Sequence, residues 1–507
     1  MNHWLILPIL LPAVVGAVLV IAVRHDVLLA RIFALASGVL LLAAGLALLV
    51  MSADGEVRVY ALGAWPAPFG IVLALDRLAA LMLVLTAVLG LAVLGYAVNG
   101  WDERGRHFHP LFQFQLMGLN GAFLTGDFFN LFVFFEVLLI ASYGLMVHGG
   151  GGLRVKAGVQ YVVANLIGSS VFLIAVGLIY SVTGTLNMAD LALKVPQVAA
   201  ADQALLHTGA VLLLLVFALK AALVPLHFWL PGTYANAPGP VAALFAIMTK
   251  VGAYSILRLY ILAFGAEAGG AAWLAAPWLL PAGLLTLVLG MLGVLAARSL
   301  GQMASFAVIG SMGMLLATVA LFTVQATAAA LYYLLHSTLA AAALFLIADL
   351  VAERRGVHRD RFDLAPRLAQ GGLVAGLFFV AAIGITGMPP LSGFIGKLLI
   401  LDGARTATQA GWFWSLILGT SLIAIVGFSR AGSLLFWKCS ALEAGPPAYR
   451  PAPALPFVAV GSLLAGLVAL TVFAGPLHRW LELTAAQLYA PAGYIEAVLG
   501  AAGGPHR

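Results

Sequence analysis

Residues 205–230 read LLHTGAVLLLLVFALKAALVPLHFWL, an apolar run with one cation, Lys220, at its centre and Pro225 shortly after it. About 20 apolar residues suffice to cross a hydrocarbon core of roughly 30 Å, so this stretch has the length of a membrane span. A charge at that depth opposes insertion by about 2.5–3.5 kcal/mol on translocon scales. Pro225 has no N–H, which deprives the carbonyl of Ala221 of its helical donor beside the lysine. Broken helices at membrane depth are tolerated only where they are buried in protein or line a wet cavity. The segment therefore reads as an interrupted helix inside a bundle of membrane helices.

The rest of the chain agrees. Of 507 residues, 63% are apolar and 9% charged, and the mean hydropathy is +1.08, too little polar surface to coat a soluble globule. The expected fold is an all-α integral membrane protein of about 14 spans, running from 3–23 to 453–474. The first, MNHWLILPILLPAVVGAVLVIAV, lacks a basic flank and a cleavage site and reads as a permanent span. The tail LHRWLELTAAQLYAPAGYIEAVLG, with Trp480, Leu481, Leu483 and Leu488, reads as an interfacial helix. About fifteen of the 25 basic residues fall in connections after odd-numbered spans, so those loops are expected in the cytoplasm and both termini outside. The net charge of +6 is then a topology signal, and no loop is long enough for a nucleic-acid-binding domain. The single cysteine, Cys439, can form neither an iron–sulfur cluster nor an internal disulfide, and no GxxxxGK[ST] loop is present. ATP hydrolysis, electron transfer and a bound cofactor are not expected in this chain.

Charges inside spans carry the functional signal. They are Asp76, Arg77, Glu136, Lys220, Lys250, Arg258, Asp349 and Lys397. In GDFFNLFVFFEVLLIASYGLM (126–146), Asp127 occupies an N-cap position and Glu136 lies about 13.5 Å further along a helix, near the midplane. The alternative for Glu136 is packing glue between helices; the phenylalanines around it would keep it dry. Lys250 in FAIMTKVGAYSILRLY is again near mid-depth, where snorkelling does not explain it. In ITGMPPLSGFIGKLLIL (385–401) the prolines and glycines interrupt the helix before Lys397. LLHSTLAAAALFLIADLV (334–351) holds His336 and Asp349. His336, beside Ser337 and Thr338, reads either as hydrogen-bonded core or, preferably, as the neutral-pH titrator that bridges Lys250 and Lys397. His227 is balanced between a relay and an ordinary interfacial residue, and Asp76 and Arg77, neutralising each other or partners on neighbouring helices, read as structural.

Two spans, 205–230 and 370–402, each combine a break with a nearby lysine, which points to inverted repeats meeting at the midplane. The expected organisation is N-terminal helices over 1–107, repeats over 108–265 and 273–437, and a last helix with its tail over 453–507. The chemistry suited to these groups is stepwise proton transfer. Desolvation favours the neutral form of a lysine and a nearby carboxylate the charged form, so moving Glu136 relative to Lys220 would unload or load the lysine. No residue set marks a metal site; carbonyls freed by the breaks and Asp or Thr oxygens are the candidate sodium ligands.

These residues lie in stretches that resemble a known family. PLFQFQLMGLNGAFLTGDFFNLFVFFEVLLIASYGLM (110–146), YSVTGTLNMADL (180–191), GAWPAPFGIVLALDRLAALM (63–82) and KAALVPLHFWLPGTYANAPGPVAALFAIMTKVGAYSILR (220–258) resemble the D subunits of multisubunit Mrp/Pha-type monovalent cation/proton antiporters. The antiporter-like subunits of complex I and of membrane-bound hydrogenases are more distantly similar. The resemblance implies fourteen helices with two inverted five-helix repeats, Glu136 and Lys220 as a coupled pair, Lys250 as central relay, His336 as bridge and Lys397 as the lysine of a second channel. It also implies partner subunits in the bilayer and exchange of external protons for cytoplasmic Na+ or K+. Ser311 stands where complex I relatives often carry a histidine before Met-Gly; a hydroxyl cannot store a proton at neutral pH, so water would take that role. The rival expectations are the proton-pumping arm of an NADH:quinone oxidoreductase-like or hydrogenase complex, and a scaffold whose buried charges only hold subunits together.

Overall fold

The computed structural model describes residues 3–23, 25–438 and 454–503; Cys439 lies outside them. The elements are α1 Leu7–Ile21, α2 Val27–Met51, β1 Arg58–Ala61, β2 Val72–Leu75, α3 Arg77–Ala97, α4 Phe108–Leu124, α5 Phe128–Met146, α6 Gly152–Thr183, α7 Met188–Lys194, α8 Gln203–Lys220, α9 Trp229–Asn236, α10 Gly239–Phe245 and α11 Met248–Leu262. The second half comprises α12 Ala276–Ala296, α13 Leu300–Val319, α14 Val324–Arg354, α15 Gly371–Thr386, α16 Ser392–Gly403, α17 Ala410–Gly432, α18 Leu455–Val472, α19 Ala474–Tyr489 and α20 Ala492–Gly503.

Among the described residues, 12 helical segments are long and apolar enough to cross a membrane. The other two expected spans take different forms. One is α4, at 17 residues and carrying Gln113, Gln115 and Asn120; the other is α15 and α16, separated by the break at 387–391. Burial sorts the segments into centre and rim. The apolar window of Gly239–Leu262 is 100% buried and that of Val324–Arg354 94%, whereas His3–Ile21, Val27–Asp54, Ala410–Trp437 and Leu455–Val472 are each 33% buried. A helix apolar all round sits inside a bundle or faces lipid, and here both cases occur. Between α12 and α13 the backbones touch: a Cβ on Gly290 would lie 2.3 Å from the Gly310 nitrogen, the small-residue packing that membrane helices use in place of a hydrophobic drive.

Three expectations change. The span expected over 70–97 begins as a strand: β2 pairs antiparallel with β1, Arg58 opposite Leu75, and α3 starts only at Arg77, capped by Asp76 accepting from the Ala79 amide at 2.8 Å. Asp76 and Arg77 are therefore at a helix start rather than within a span. The span over 238–265 is divided at Ala246 and Ile247, where the chain tightens to i→i−3 hydrogen bonds of 3.2 Å. No proline or glycine stands there, so composition could not mark it. The tail forms two helices in place of one, with α19 docked on α14 through a 3.0 Å contact of Tyr489 with Thr327.

Candidate functional site

Five helices, α5, α6, α8, α9 and α12, assemble the first half of the site. Lys220 is the last residue of α8, where the helix dipole favours a cation. Beyond it the chain turns through Ala222 at φ +56, and one donor and one acceptor from outside hold the break. Trp229 Nε1 donates to the Leu219 carbonyl at 3.1 Å, and the Val224 amide donates to Thr286 Oγ1 of α12 at 2.9 Å. These contacts satisfy groups that an interrupted helix leaves orphaned. Lys220 Nζ donates to Asn165 Oδ1 at 2.9 Å and lies 5.8 Å from the centre of the Phe135 ring. One turn along α6 from Asn165, the Ser169 hydroxyl donates to the Glu136 carboxylate. Glu136 and Lys220 thus form no direct ion pair among the described residues; the i, i+4 pair Asn165 and Ser169 stands between them. Both polar residues are buried, and Asn165 is itself held by donating to the Tyr161 carbonyl at 2.9 Å.

Lys250 occupies the centre. It is completely buried on α11, just past the tight turn, and neither its Nζ nor the hydroxyl of Thr249 has a hydrogen-bond partner among the described residues. Orphaned buried polar groups cost about 1–3 kcal/mol each, so this is a position the fold maintains at a loss. On α14, His336 is 1% exposed and its Nδ1 is 2.9 Å from Ser392 Oγ, the first residue of α16. Its ring leans on Tyr333 at 5.8 Å between centroids. Ser311, His336 and Ser337 border a cavity of about 10 Å³, close to the space of one water; this is the serine that stands in the histidine position.

In the second half the arrangement inverts: Lys397 follows its break instead of preceding it. The Nζ donates to the carbonyl of Thr386, the last residue of α15, at 2.6 Å, and to Ser421 Oγ of α17 at 2.7 Å. The lysine thereby caps a carbonyl that the break sets free. Gly387 makes this possible. Its φ is +75, and a Cβ there would lie 2.6 Å from Lys397 Cδ.

The remaining candidates sit apart from this axis. Asp127 is the N-cap of α5, accepting from the Asn130 amide at 2.8 Å. His227 lies in the turn after the first break, half-buried, with Nδ1 unpartnered among the described residues. Asp349 Oδ2 accepts from Tyr96 at 2.8 Å and from Trp101 Nε1 at 2.6 Å. Asp76 forms a buried bidentate pair with Arg258 at 2.5 and 2.9 Å, and Arg77 donates to the Ala53 carbonyl at 2.7 Å. Of the two pairings open to Asp76, the structure shows the one with a neighbouring helix, to Arg258, and not the one with Arg77. Asn165, Ser169, Ser392 and Ser421 are polar neighbours that a search for charges passes over. The signal for the first two was their i, i+4 spacing in NLIGSS (165–170) on an otherwise apolar span.

This architecture defines a polytopic helical membrane protein whose two interrupted helices hold lysines against buried polar groups. Residues 125–425 match the family described as NADH:quinone oxidoreductase/Mrp antiporter, transmembrane. The chain is 42% identical to the D subunit of a probable K(+)/H(+) antiporter of Rhizobium meliloti, over 99% of this chain and 98% of that one. It is 37% identical to the D subunit of the Na(+)/H(+) antiporter of Bacillus subtilis, over 98% and 100%. A chain in the structure of the Mrp complex from Dietzia sp. superposes with a TM-score of 0.87 at 29% identity, covering 99% of this chain and all of that one. The chain belongs to the NADH:quinone oxidoreductase/Mrp antiporter family.

Proposed function

We propose that this chain is the proton-translocating subunit of a multisubunit monovalent cation/proton antiporter of the plasma membrane, both termini facing outward, and that it catalyses no bond chemistry of its own. The observation that carries the reading is the placement of three buried lysines: one before a helix break, one beside a tight helical turn, one after a second break, with His336 tied to that second break. The near-full-length likeness to the D subunits of antiporters supports the same class. Residues 108–265 and 273–437 act as the two halves, each containing one helix broken at proline.

Glu136 sets the charge state of Lys220 through the Ser169 and Asn165 pair. Helix motion that breaks the Ser169 contact removes the counter-charge and releases the Lys220 proton towards Lys250. His336 passes protons between Lys250 and Lys397, with a water between Ser311 and His336 completing the link. Partner subunits supply the rest of the assembly, and Na+ or K+ is the counter-ion.

The test is a pH-gradient dye assay on inverted vesicles from an antiporter-deficient host expressing the whole assembly. Dequenching on adding sodium or potassium, lost in Lys220→Ala, is the expected result. A redox substrate that acidifies the vesicles while no cation responds would place the chain in a respiratory pump, the other branch of the family.

A further inference from the structure

Asp349 is a buried carboxylate with no ion-pair partner among the described residues. Its Oδ2 is occupied by Tyr96 and Trp101. The other oxygen faces α10: a Cβ on Gly239 would lie 2.4 Å from Asp349 Cγ and 2.8 Å from Oδ1, so glycine there leaves the carboxylate room. Asp349, Gly239 and Tyr234 border a cavity of about 40 Å³ whose outer wall is Arg359 and Asp360 of the loop after α14. That volume exceeds the roughly 10–15 Å³ one water needs, and the carboxylate supplies polar lining. The loop belongs to the arginine-rich side, with Arg104, Arg154, Arg355 and Arg361, which the positive-inside rule assigns to the cytoplasm.

Tyr234, which also borders the cavity, is anchored inside the bundle. Tyr234 OH donates to the Phe245 carbonyl at 2.8 Å, the last residue of α10, and the tight turn that follows carries Lys250. Among the charged neighbours, Arg104 is engaged with Glu353 at 2.6 Å, and Arg154 donates to the carbonyls of Asn236 at 3.0 Å and His148 at 2.7 Å. Neither hydrogen-bonds Asp349, although Arg104, Arg154 and Glu353 all lie within electrostatic reach of it.

We propose that Asp349 is the carboxylate through which the protons moved by this chain pass to and from cytoplasmic water, by way of the cavity beside Tyr234. The inference rests on the proton-translocating reading. A proton from water in the cavity binds Asp349 Oδ1, forming O–H, and when that bond breaks the proton passes on; Tyr96 and Trp101 stabilise the ionised form left behind. A merely structural Asp349 would need its two hydrogen bonds and nothing more, and asparagine can accept both.

The assay is cation-dependent dequenching in inverted vesicles containing the whole assembly, across pH 6 to 9. Asp349→Asn is expected to lower exchange at least tenfold and Asp349→Glu to restore most of it. Tyr96→Phe, which keeps the carboxylate but removes a donor that stabilises its ionised form, is expected to move the half-maximal pH upward. Wild-type rate and pH profile in Asp349→Asn overturn the proposal; so does an unchanged profile in Tyr96→Phe, which remains decisive should Asp349→Asn fail to assemble. Lys220→Ala run in parallel separates the two failures. Normal exchange in Lys220→Ala sinks the proton-translocating reading, whereas a silent Lys220→Ala beside a normal Asp349→Asn sinks this inference alone.

Discussion

The surroundings of Lys220 and Lys397 differ in what each lysine leans on. Lys220 precedes its break and donates to an amide side chain, with a carboxylate one helical turn away on the far side of Ser169. Lys397 follows its break and donates to a backbone carbonyl and a hydroxyl. Its two partners are neutral and one of them cannot rotate away. The first site can therefore be switched by moving a counter-charge, while the second holds its lysine by the geometry of the break itself. Two sites built from the same parts, a broken helix and a lysine, are suited to different steps.

The largest effect should come from the counter-charge. Glu136→Gln is expected to lower cation-dependent dequenching at least tenfold with the assembly intact on native gels, and wild-type exchange in that variant would erase the distinction between the sites. Next come the neutral partners. Asn165→Leu strips Lys220 of its hydrogen bond and should slow exchange about tenfold, since a buried unsatisfied group costs about 1–3 kcal/mol and roughly 1.4 kcal/mol is a factor of ten. Ser421→Ala leaves Lys397 its carbonyl and should slow exchange by only about twofold; equal losses in the two variants would show that the second lysine depends on side chains as much as the first.

Gly387→Ala tests the break. A residue with a Cβ held at positive φ costs about 1–3 kcal/mol, and the new methyl would collide with Lys397, so the thermal midpoint of the purified assembly should fall by a few degrees together with a severalfold loss of exchange. An alanine variant of wild-type midpoint would mean that the break repacks freely.

The smallest effect on transport is expected outside the membrane. Asp102, in the loop after α3, takes hydrogen bonds from Arg31 at 2.7 and 2.9 Å and from His109 at 3.0 Å. Burial by itself raises this carboxyl, but the bonds from Arg31 and His109 outweigh it and hold the group well below the usual carboxylate range. A depressed folded value contributes stability above the unfolded value of about 3.9, lost as pH falls through the folded one. Asp102→Asn should therefore melt earlier than wild type by a margin constant from pH 9 to 5 that narrows below about pH 4, with exchange little changed. A margin that stays the same below pH 4 would show that the ionised Asp102 carboxylate does not hold this loop.

Much of the fold was legible because insertion cost is carried by composition. Glu136, Lys220, Lys250 and Lys397 stand out as charges in apolar runs, and Pro225, Pro389 and Pro390 announce both breaks. The turn before Lys250 was not legible, since nothing in its composition forbids a continuous helix. Nor was the β1–β2 pair, because VLAL at 72–75 reads as readily as the start of a span as a buried strand. Asn165 and Ser169 were visible only as uncharged polar residues one turn apart, a pattern that many membrane helices use for packing.

Sequence alone determined that the chain spans a membrane many times, that helices break at Pro225 and at Pro389 and Pro390, and how far along its run each of Glu136, Lys220, Lys250 and Lys397 lies, because that follows from counting residues at 1.5 Å each along a helix. Tertiary structure decided which groups meet: that Asp76 answers Arg258 rather than Arg77, that an amide and a hydroxyl stand between Lys220 and Glu136, and that Lys397 caps the carbonyl of Thr386. Rotation about a helix axis and the choice of neighbour are set by side-chain packing between elements far apart in the chain, and no count along one helix contains them.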